Sequence, residues 1–238
     1  MAQHAGHIHP LSQAISRAVR IWSDMGFRQA RGPLIETQWY NFDALNVPQD
    51  HPARDMQDTF YLKDNPEYVL RTHTSPVQIR ALEKWGAPLR AIAPGRVFRN
   101  EATDATHEAQ FFQLEGLAVD AYGTITLAHL KGALLHFFQR FFERDDIQVR
   151  FRPGYFPFVE PGVEVDMYLT RADGSGRWLE LMGAGMVHPT VLKNAGVDPA
   201  RYSGFAFGVG LERLVAVRYG IEDVRYFHSG DVRFVAQF

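Results

Sequence analysis

One polar stretch of the chain mixes residue types that could do chemistry. Arg99 and Glu101 are followed, after a polar segment, by Phe111, Gln113 and Glu115. Side chains alternate across a strand, so the first two share one strand face and the last three share a face of the next strand. Charged side chains are rarely buried without a partner, so this mixture is harder to explain as core. It indicates a binding surface; the alternative is an exposed sheet face with scattered ion pairs.

A second stretch is rich in glycine and runs into a cation. Ala206, Gly208 and Gly210 lie on one side of an extended segment, and a strip with almost no side chains lets a flat ligand lie against the backbone. Arg213 then falls in the first turn of the following helix, where the helix dipole disfavours a cation. An anion such as a phosphate would offset that cost. The alternative is a glycine-rich turn with a solvated arginine.

The elements that must position these residues are mixed helices and strands. Helical spacing of apolar residues predicts helices over residues 11–25, 126–143 and 209–219. A turn signal at residues 172–176 predicts a hairpin between the strands that flank it. Segments with strand character are 27–35 (interrupted by Gly32 and Pro33), 91–101, 110–120, 148–159, 163–170, 177–187 and 203–209. Hairpin-joined strands with helices grouped around them predict an α+β fold with an antiparallel sheet.

Composition narrows the function classes. The chain has 238 residues and no cysteine, which excludes disulfides and thiolate zinc sites and suits the cytoplasm. No apolar run approaches the roughly 18 residues of a membrane span. There is no phosphate-binding glycine loop of the P-loop or dinucleotide type. With a net charge of −2, any RNA partner must be held mostly by another subunit or segment.

Three segments together resemble a known class of enzyme. Residues 98–101 are similar to motif 2 of class II aminoacyl-tRNA synthetases, residues 208–213 to motif 3, and the early helix ending at Pro33 to motif 1. Within the class, several further segments look like bacterial phenylalanine–tRNA ligase alpha subunits: residues 55–60, 71–76, 104–107, 151–158, 185–189 and 204–208. The resemblance extends from His9 to Phe238.

The resemblance implies activation of phenylalanine with ATP and Mg²⁺ to phenylalanyl-adenylate, followed by transfer to tRNA(Phe) with a beta subunit. Arg99, His107 and Arg213 are the implied catalytic residues. Glu101 would accept from the adenine amino group, and Phe111 and Arg213 would enclose the adenine ring. Glu160 is a candidate magnesium ligand. The residues implied in ATP binding are Arg99, Glu101, His107, Phe111, Gly208, Gly210 and Arg213.

The resemblance also implies a phenylalanine pocket. His73, Ser75, Gln113 and Glu115 would accept the substrate ammonium group. Phe156 and Phe158 would form an aromatic wall, and Ala206 would end the pocket opposite the para position of the ring. A larger residue at that position should exclude phenylalanine, and glycine should admit para-substituted analogues.

The expected organisation is a flexible segment over residues 1–8 and a catalytic domain over residues 9–238. We expect the coiled-coil arm of typical alpha subunits to be absent, and residues 11–33 to pack against another chain, either a second copy or the beta subunit. Two alternatives stay open. One is a synthetase-derived regulatory or binding module without tRNA charging, and the other is a class II enzyme that adenylates another acid.

Overall fold

A computed structural model describes residues 6–170 and 175–238 of the chain. Its centre is a seven-stranded sheet in the order β1-β4-β5-β9-β8-β7-β6, antiparallel except for the β1–β4 pair; β2 and β3 form a separate antiparallel pair. The strands are β1 Arg28–Gln29, β2 Ile35–Thr37, β3 Tyr68–Leu70, β4 Leu89–Phe98, β5 Gln110–Ala121, β6 Gln148–Phe156, β7 Val159–Thr170, β8 Gly176–Val187 and β9 Tyr202–Gly210.

The helices lie on both faces of this sheet. They are α1 Pro10–Asp24, α2 Gln38–Asn41, α3 Ser75–Trp85, α4 Leu127–Phe142, α5 Pro189–Asn194, α6 Leu211–Tyr219 and α7 Val232–Val235. The α+β prediction is confirmed, as are the three helices predicted from apolar spacing. The hairpin of β7 and β8 is also present, with Thr170 opposite Gly176; residues 172–174 of its predicted turn lie outside the described residues.

One face of the sheet carries an aromatic core. Trp22 of α1 stacks on Phe207 of β9 at 4.4 Å and on Phe137 of α4 at 5.2 Å between ring centroids. Because alternate side chains of a strand point to opposite faces, Phe205, Phe207 and Val209 enter this core. The intervening residues of β9 therefore face the other side of the sheet, as the alternation in the sequence predicts.

The other face is covered by α3, α5 and the segment between α1 and α3. A second cluster of buried apolar residues fills this side, with Leu45, Ile79 and Val191 among its members. Periodicity assigned no element to residues 36–90, which contain α2, β3 and α3. Helix α3 begins at Ser75 with Pro76 in its first turn, where the missing N–H of proline costs nothing. This start places Ser75 beside strand β5.

Two expectations require correction. Strand β4 ends at Phe98, so Arg99 and Glu101 do not share a strand face; they follow the last ladder pair, Phe98 with Gln110, at the start of a polar loop. The segment 27–35 is not one strand, because the chain leaves the large sheet after Gln29 and joins β3 from Ile35.

Residues 11–33, the predicted interface segment, pack in part against the rest of this chain. The apolar face of α1, with Leu11, Ala18 and Trp22, is buried in the aromatic core. Near the predicted flexible end, His7 Nδ1 lies 3.0 Å from the carbonyl oxygen of Phe238. Among the helices of the described residues, none has the length and apolar content that a membrane crossing requires.

Candidate active site

Two adjoining cavities open on the face of the sheet that β9 lines with small residues. The inner cavity has a volume of about 410 Å³ and the outer cavity about 680 Å³. Both are lined by the same four residues where they meet, namely Arg99, Phe111, Leu181 and Gly210. They are therefore two compartments of one cleft, and Arg99 stands at the boundary between them.

A buried carboxylate forms the polar part of the inner cavity. Glu115 of β5 is 4% exposed and accepts hydrogen bonds from the backbone N–H of Thr74 at 3.0 Å, from Gln78 Nε2 at 2.9 Å and from Ser75 Oγ. Burial raises the pKa of Glu115, and the hydrogen bonds from Ser75 and Thr74 partly offset that rise. The carboxylate is thus fixed by three donors, and no cation of the described residues lies within hydrogen-bonding reach of it.

Two further polar atoms beside Glu115 lack partners. His73 Nδ1 and Gln113 Oε1 are buried and make no hydrogen bond within the described chain. Burial and the nearby charge of Arg99 lower the pKa of His73 to about 3, so its imidazole is neutral at physiological pH. Glu115, Gln113 and His73 therefore present acceptors to the cavity, an arrangement that suits a bound ammonium group.

The rest of the inner cavity is apolar. Phe156 and Phe158 stack with ring centroids 6.0 Å apart and form one wall. The ring of Phe156 lies over Gly183 so closely that a Cβ atom there would be 2.7 Å from its Cζ. Along β9 the lining runs from Gly210 at the cavity boundary, through Gly208 opposite Glu115, to Ala206 opposite Leu117. Ala206 thus lies deepest of the three.

The outer cavity is lined by long charged side chains. Arg99 donates from Nε to the carbonyl oxygen of Thr72 at 3.2 Å, and its Cζ lies 5.1 Å from the ring centroid of Phe111. Its Nη1 is 3.9 Å from Glu101, whose side chain is one-third exposed. Arg213 is exposed and donates to the carbonyl oxygen of Glu180 at 2.8 Å. Its position on the first turn of α6 agrees with the prediction.

The structure brings most of the expected residues together. The inner cavity contains all seven of those expected to bind phenylalanine, and the outer cavity contains Arg99, Glu101, His107, Phe111, Gly210 and Arg213. Gly208 lines only the inner cavity, so its expected part in ATP binding stays a prediction. Glu160 is exposed on β7 and is absent from the lining of both cavities.

Several lining residues had not been found from the sequence. Gln78 binds Glu115 and lies three residues after Ser75, on the same side of α3; a helix assigned at residues 75–85 would have found it. Arg177 and Leu179 of β8 line the outer cavity with Arg213. Gly183 carries no side chain, and its place in the lining of the inner cavity and its contact with Phe156 reveal its part in the pocket.

Comparisons with known proteins place the chain in a class. The family described as "tRNA synthetases class II core domain (F)" matches residues 1–238. Pyrrolysyl-tRNA synthetase from Desulfitobacterium hafniense superposes with a TM-score of 0.70 at 21% identity, covering 93% of this chain and 74% of that one, which supports the fold alone. The antiparallel sheet with its flanking helices has the fold of a class II aminoacyl-tRNA synthetase core.

Relatives of higher sequence identity show the family within this class. The phenylalanine–tRNA ligase alpha subunit of Burkholderia cenocepacia is 52% identical over 98% of this chain and 70% of its own length. That of Coxiella burnetii is 53% identical over 99% of this chain and 69% of its own length. The chain belongs to the family of phenylalanine–tRNA ligase alpha subunits.

Proposed function

We propose that the chain activates phenylalanine with ATP and transfers it to tRNA(Phe) together with a beta subunit. In the first step a carboxylate oxygen of phenylalanine forms a bond to the α-phosphorus of ATP. The bond from that phosphorus to the bridging oxygen breaks, and its electron pair leaves with pyrophosphate. Two anions must approach each other, so positioning and charge stabilisation supply the catalysis.

The observation that carries this proposal is the place of Arg99. It lines both compartments, so one guanidinium would face the amino-acid carboxylate on one side and the α-phosphate on the other. A planar guanidinium donates paired hydrogen bonds that fit both groups. Its Nε bond to Thr72 fixes the group at the boundary. The reacting atoms would meet where the cavities adjoin.

The inner compartment fits phenylalanine in particular. The ammonium group would bind Glu115 and Gln113, with neutral His73 and Ser75 beside them. The ring would pack between Phe156, Phe158 and Ala206, as expected from the sequence. A tyrosine hydroxyl would lose its hydration among apolar side chains, which costs roughly 1–3 kcal/mol and gives modest discrimination.

The outer compartment would take the nucleotide. Phe111 and Arg213 would enclose the adenine, Glu101 would accept from its amino group, and His107 would contact the outer phosphates. No group of three side chains able to hold a metal ion converges within residues 6–170 and 175–238. Mg²⁺ would therefore be held mainly by phosphate oxygens, whose charge it would neutralise, with Glu222 of the cavity wall as a further ligand.

The remaining expectations belong to the same proposal. Translation enzymes of this kind act in the cytoplasm, and we place the chain there. The exposed positions of residues 11–33 would contact the beta subunit or a second copy. The expectation that Glu160 binds magnesium stays a prediction, and its side chain lies outside the lining of both cavities.

The test is amino-acid-dependent ATP–pyrophosphate exchange by the purified chain, alone and with a beta subunit. Phenylalanine should support more exchange than tyrosine, and no exchange should occur without an amino acid. Arg99→Ala should abolish the signal. Absence of phenylalanine-dependent exchange even with the beta subunit would refute the proposal and favour a regulatory or binding role. Exchange with another acid instead would identify the other alternative.

A further inference from the structure

The aromatic wall of the inner compartment includes a two-residue turn. Strand β6 ends at Phe156 and β7 begins at Val159, and these two residues face each other in the ladder. Pro157 and Phe158 form the turn between them. The ring of Phe156 is fixed by its strand and by its close contact with Gly183, whereas Phe158 lies in the turn itself. The position of the Phe158 ring therefore depends on what holds the turn.

One side chain from a distant part of the chain reaches this turn. Asn46 Nδ2 donates to the carbonyl oxygen of Pro157 at 2.8 Å, across 111 positions of sequence. A carbonyl oxygen only accepts, so the amide must present its nitrogen, and its orientation is fixed by its partner. The carbonyl oxygen of Phe158 accepts from the backbone N–H of His188 at 3.0 Å. Both carbonyl groups of the turn are thus held, and one of them is held by a side chain.

The segment that carries Asn46 is itself well fixed. Asn46 follows a short 3₁₀ helix over Asp43–Leu45 with φ 60° and ψ 24°, the left-handed region that asparagine tolerates better than most residues. Arg54 Nη2 donates to Asp43 Oδ1 at 2.7 Å and to the carbonyl oxygen of Val47 at 2.6 Å. The backbone is therefore held on both sides of Asn46, and its amide starts from a defined position.

We propose that Asn46 is a positioning residue for the amino-acid substrate: its amide holds the Pro157 carbonyl group and thereby keeps the Phe158 ring in the wall of the inner compartment. This inference rests on the proposed function and deepens it. Asn46 lines neither cavity, so it acts only through the turn. The Phe158 ring stacks on Phe156, and its centroid lies 6.4 Å from that of His73. A shift of the turn would loosen both contacts beside the substrate.

The decisive substitution is Asn46→Gly, because glycine adopts the same left-handed backbone without strain and removes only the amide. The KM for phenylalanine in pyrophosphate exchange should rise about fivefold, as expected for one lost hydrogen bond, while the KM for ATP and kcat should change by less than about twofold. Asn46→Asp sets a carboxylate against the carbonyl oxygen and should raise the phenylalanine KM further, about twentyfold.

Glu143→Gly is the matched control. Glu143 also has a positive φ, 57°, and it lies at the end of α4, outside the lining of both cavities. Replacing it with glycine therefore makes the same backbone change without touching the turn. The phenylalanine KM of this variant should equal that of the unsubstituted chain.

A double-mutant cycle separates positioning from general damage. In a Phe158→Ala chain no ring is left to position, so adding Asn46→Gly should not raise the phenylalanine KM further. The proposal would be overturned by an unchanged KM in Asn46→Gly, by an undiminished rise in the Phe158→Ala background, by equal rises in the KM for both substrates, or by the same rise in Glu143→Gly.

Hydrogen–deuterium exchange tests the turn without catalysis. The peptide that contains residues 157–159 should take up deuterium faster in Asn46→Gly than in the unsubstituted chain or in Glu143→Gly. Unchanged uptake would overturn the inference whether or not the chain is active. Calorimetric titration with phenylalanine measures the change in affinity without ATP. If pyrophosphate exchange fails in every variant but the Kd for phenylalanine still rises about fivefold in Asn46→Gly, only the proposed function has failed.

Discussion

The two compartments of the cleft hold their charges in different ways. In the inner one, Glu115 is 4% exposed and accepts from three donors on α3 and the residue before it. In the outer one, Arg213 and His107 are exposed; Arg213 donates to one carbonyl oxygen, and the His107 ring contacts the carboxylate of Asp104 and the hydroxyl of Thr106. The packed fold fixes the charged group of the inner compartment. The charges of the outer compartment are carried by long side chains and a loop.

This difference teaches how the two substrates would be recognised. A small amino acid must be selected by a cavity whose polar atoms are already fixed, because each group left to be ordered on binding lowers affinity. A triphosphate carries enough charge to order exposed cations around itself. We therefore expect substitutions in the inner compartment to change phenylalanine binding alone, and substitutions in the outer one to change nucleotide binding alone.

The largest effect is expected from a substitution that should affect both compartments. Arg99 belongs to both compartments, so Arg99→Ala should lower phenylalanine-dependent exchange about a thousandfold through kcat, because the charge of the transition state loses its main donor. Steady-state exchange measures it. Arg96→Ala, a neighbouring arginine outside both cavities, is the matched control. An equal loss in both variants would point to damage of β4 in place of lost catalysis.

The next effect tests the inner compartment alone. Glu115→Gln removes the charge that faces the ammonium group, and the KM for phenylalanine should rise about a hundredfold while the KM for ATP stays constant. Since burial disfavours the Glu115 charge, the melting temperature should not fall. Inhibition by 3-phenylpropionate, which lacks the ammonium group, should be unchanged. A matched increase in the ATP KM would contradict the division into compartments.

A smaller effect comes from the apolar wall. In Gly183→Ala the new Cβ would lie 2.7 Å from Phe156, so the ring that forms the pocket wall must shift. The KM for phenylalanine should rise about tenfold, in line with an overpacking cost of about 1–3 kcal/mol. Gly132→Ala, in α4 with nothing within 4 Å of its Cβ, should leave the KM unchanged. An unaltered KM in Gly183→Ala would mean that Phe156 does not form the wall.

The last prediction concerns stability against pH and not the kinetics of exchange. The pKa of folded His73 is lowered to about 3, while the unfolded chain protonates near pH 6.5. Its contribution is therefore fully present above pH 6.5 and is lost as pH falls from there toward 3, at about 1 kcal/mol per pH unit. Urea unfolding of His73→Gln should show a flatter pH dependence in this window. Parallel curves for the two chains would show that His73 is not buried as described.

Much of the site was predictable because β-strand geometry is local. The alternation of Phe111, Gln113 and Glu115, and of Ala206, Gly208 and Gly210, placed each set on one face, and the structure confirms both. The extent of β4 was not predictable in this way. Whether Arg99 continues a strand depends on the partner residues that β5 offers, and that pairing stops at Phe98 and Gln110.

Helix α3 shows a second limit of prediction from the sequence. Its apolar residues face a second core built from distant parts of the chain, including Leu45 and Val191. Its short sequence gives a weak periodic signal, since helices of this length owe their stability mainly to tertiary packing. Gln78 and the backbone donor of Thr74 were therefore missed, although Ser75 was found through the family resemblance.

The sequence by itself determined the class of fold, the strand faces and the residues that resemble the family's motifs, because each follows from local periodicity or from a short contiguous pattern. Only the tertiary structure decided that Glu115 meets α3, that Arg99 stands between two cavities and that the ring of Phe156 lies over Gly183. Such contacts join residues 27 to 41 positions apart, and their geometry depends on how strands pair and helices pack.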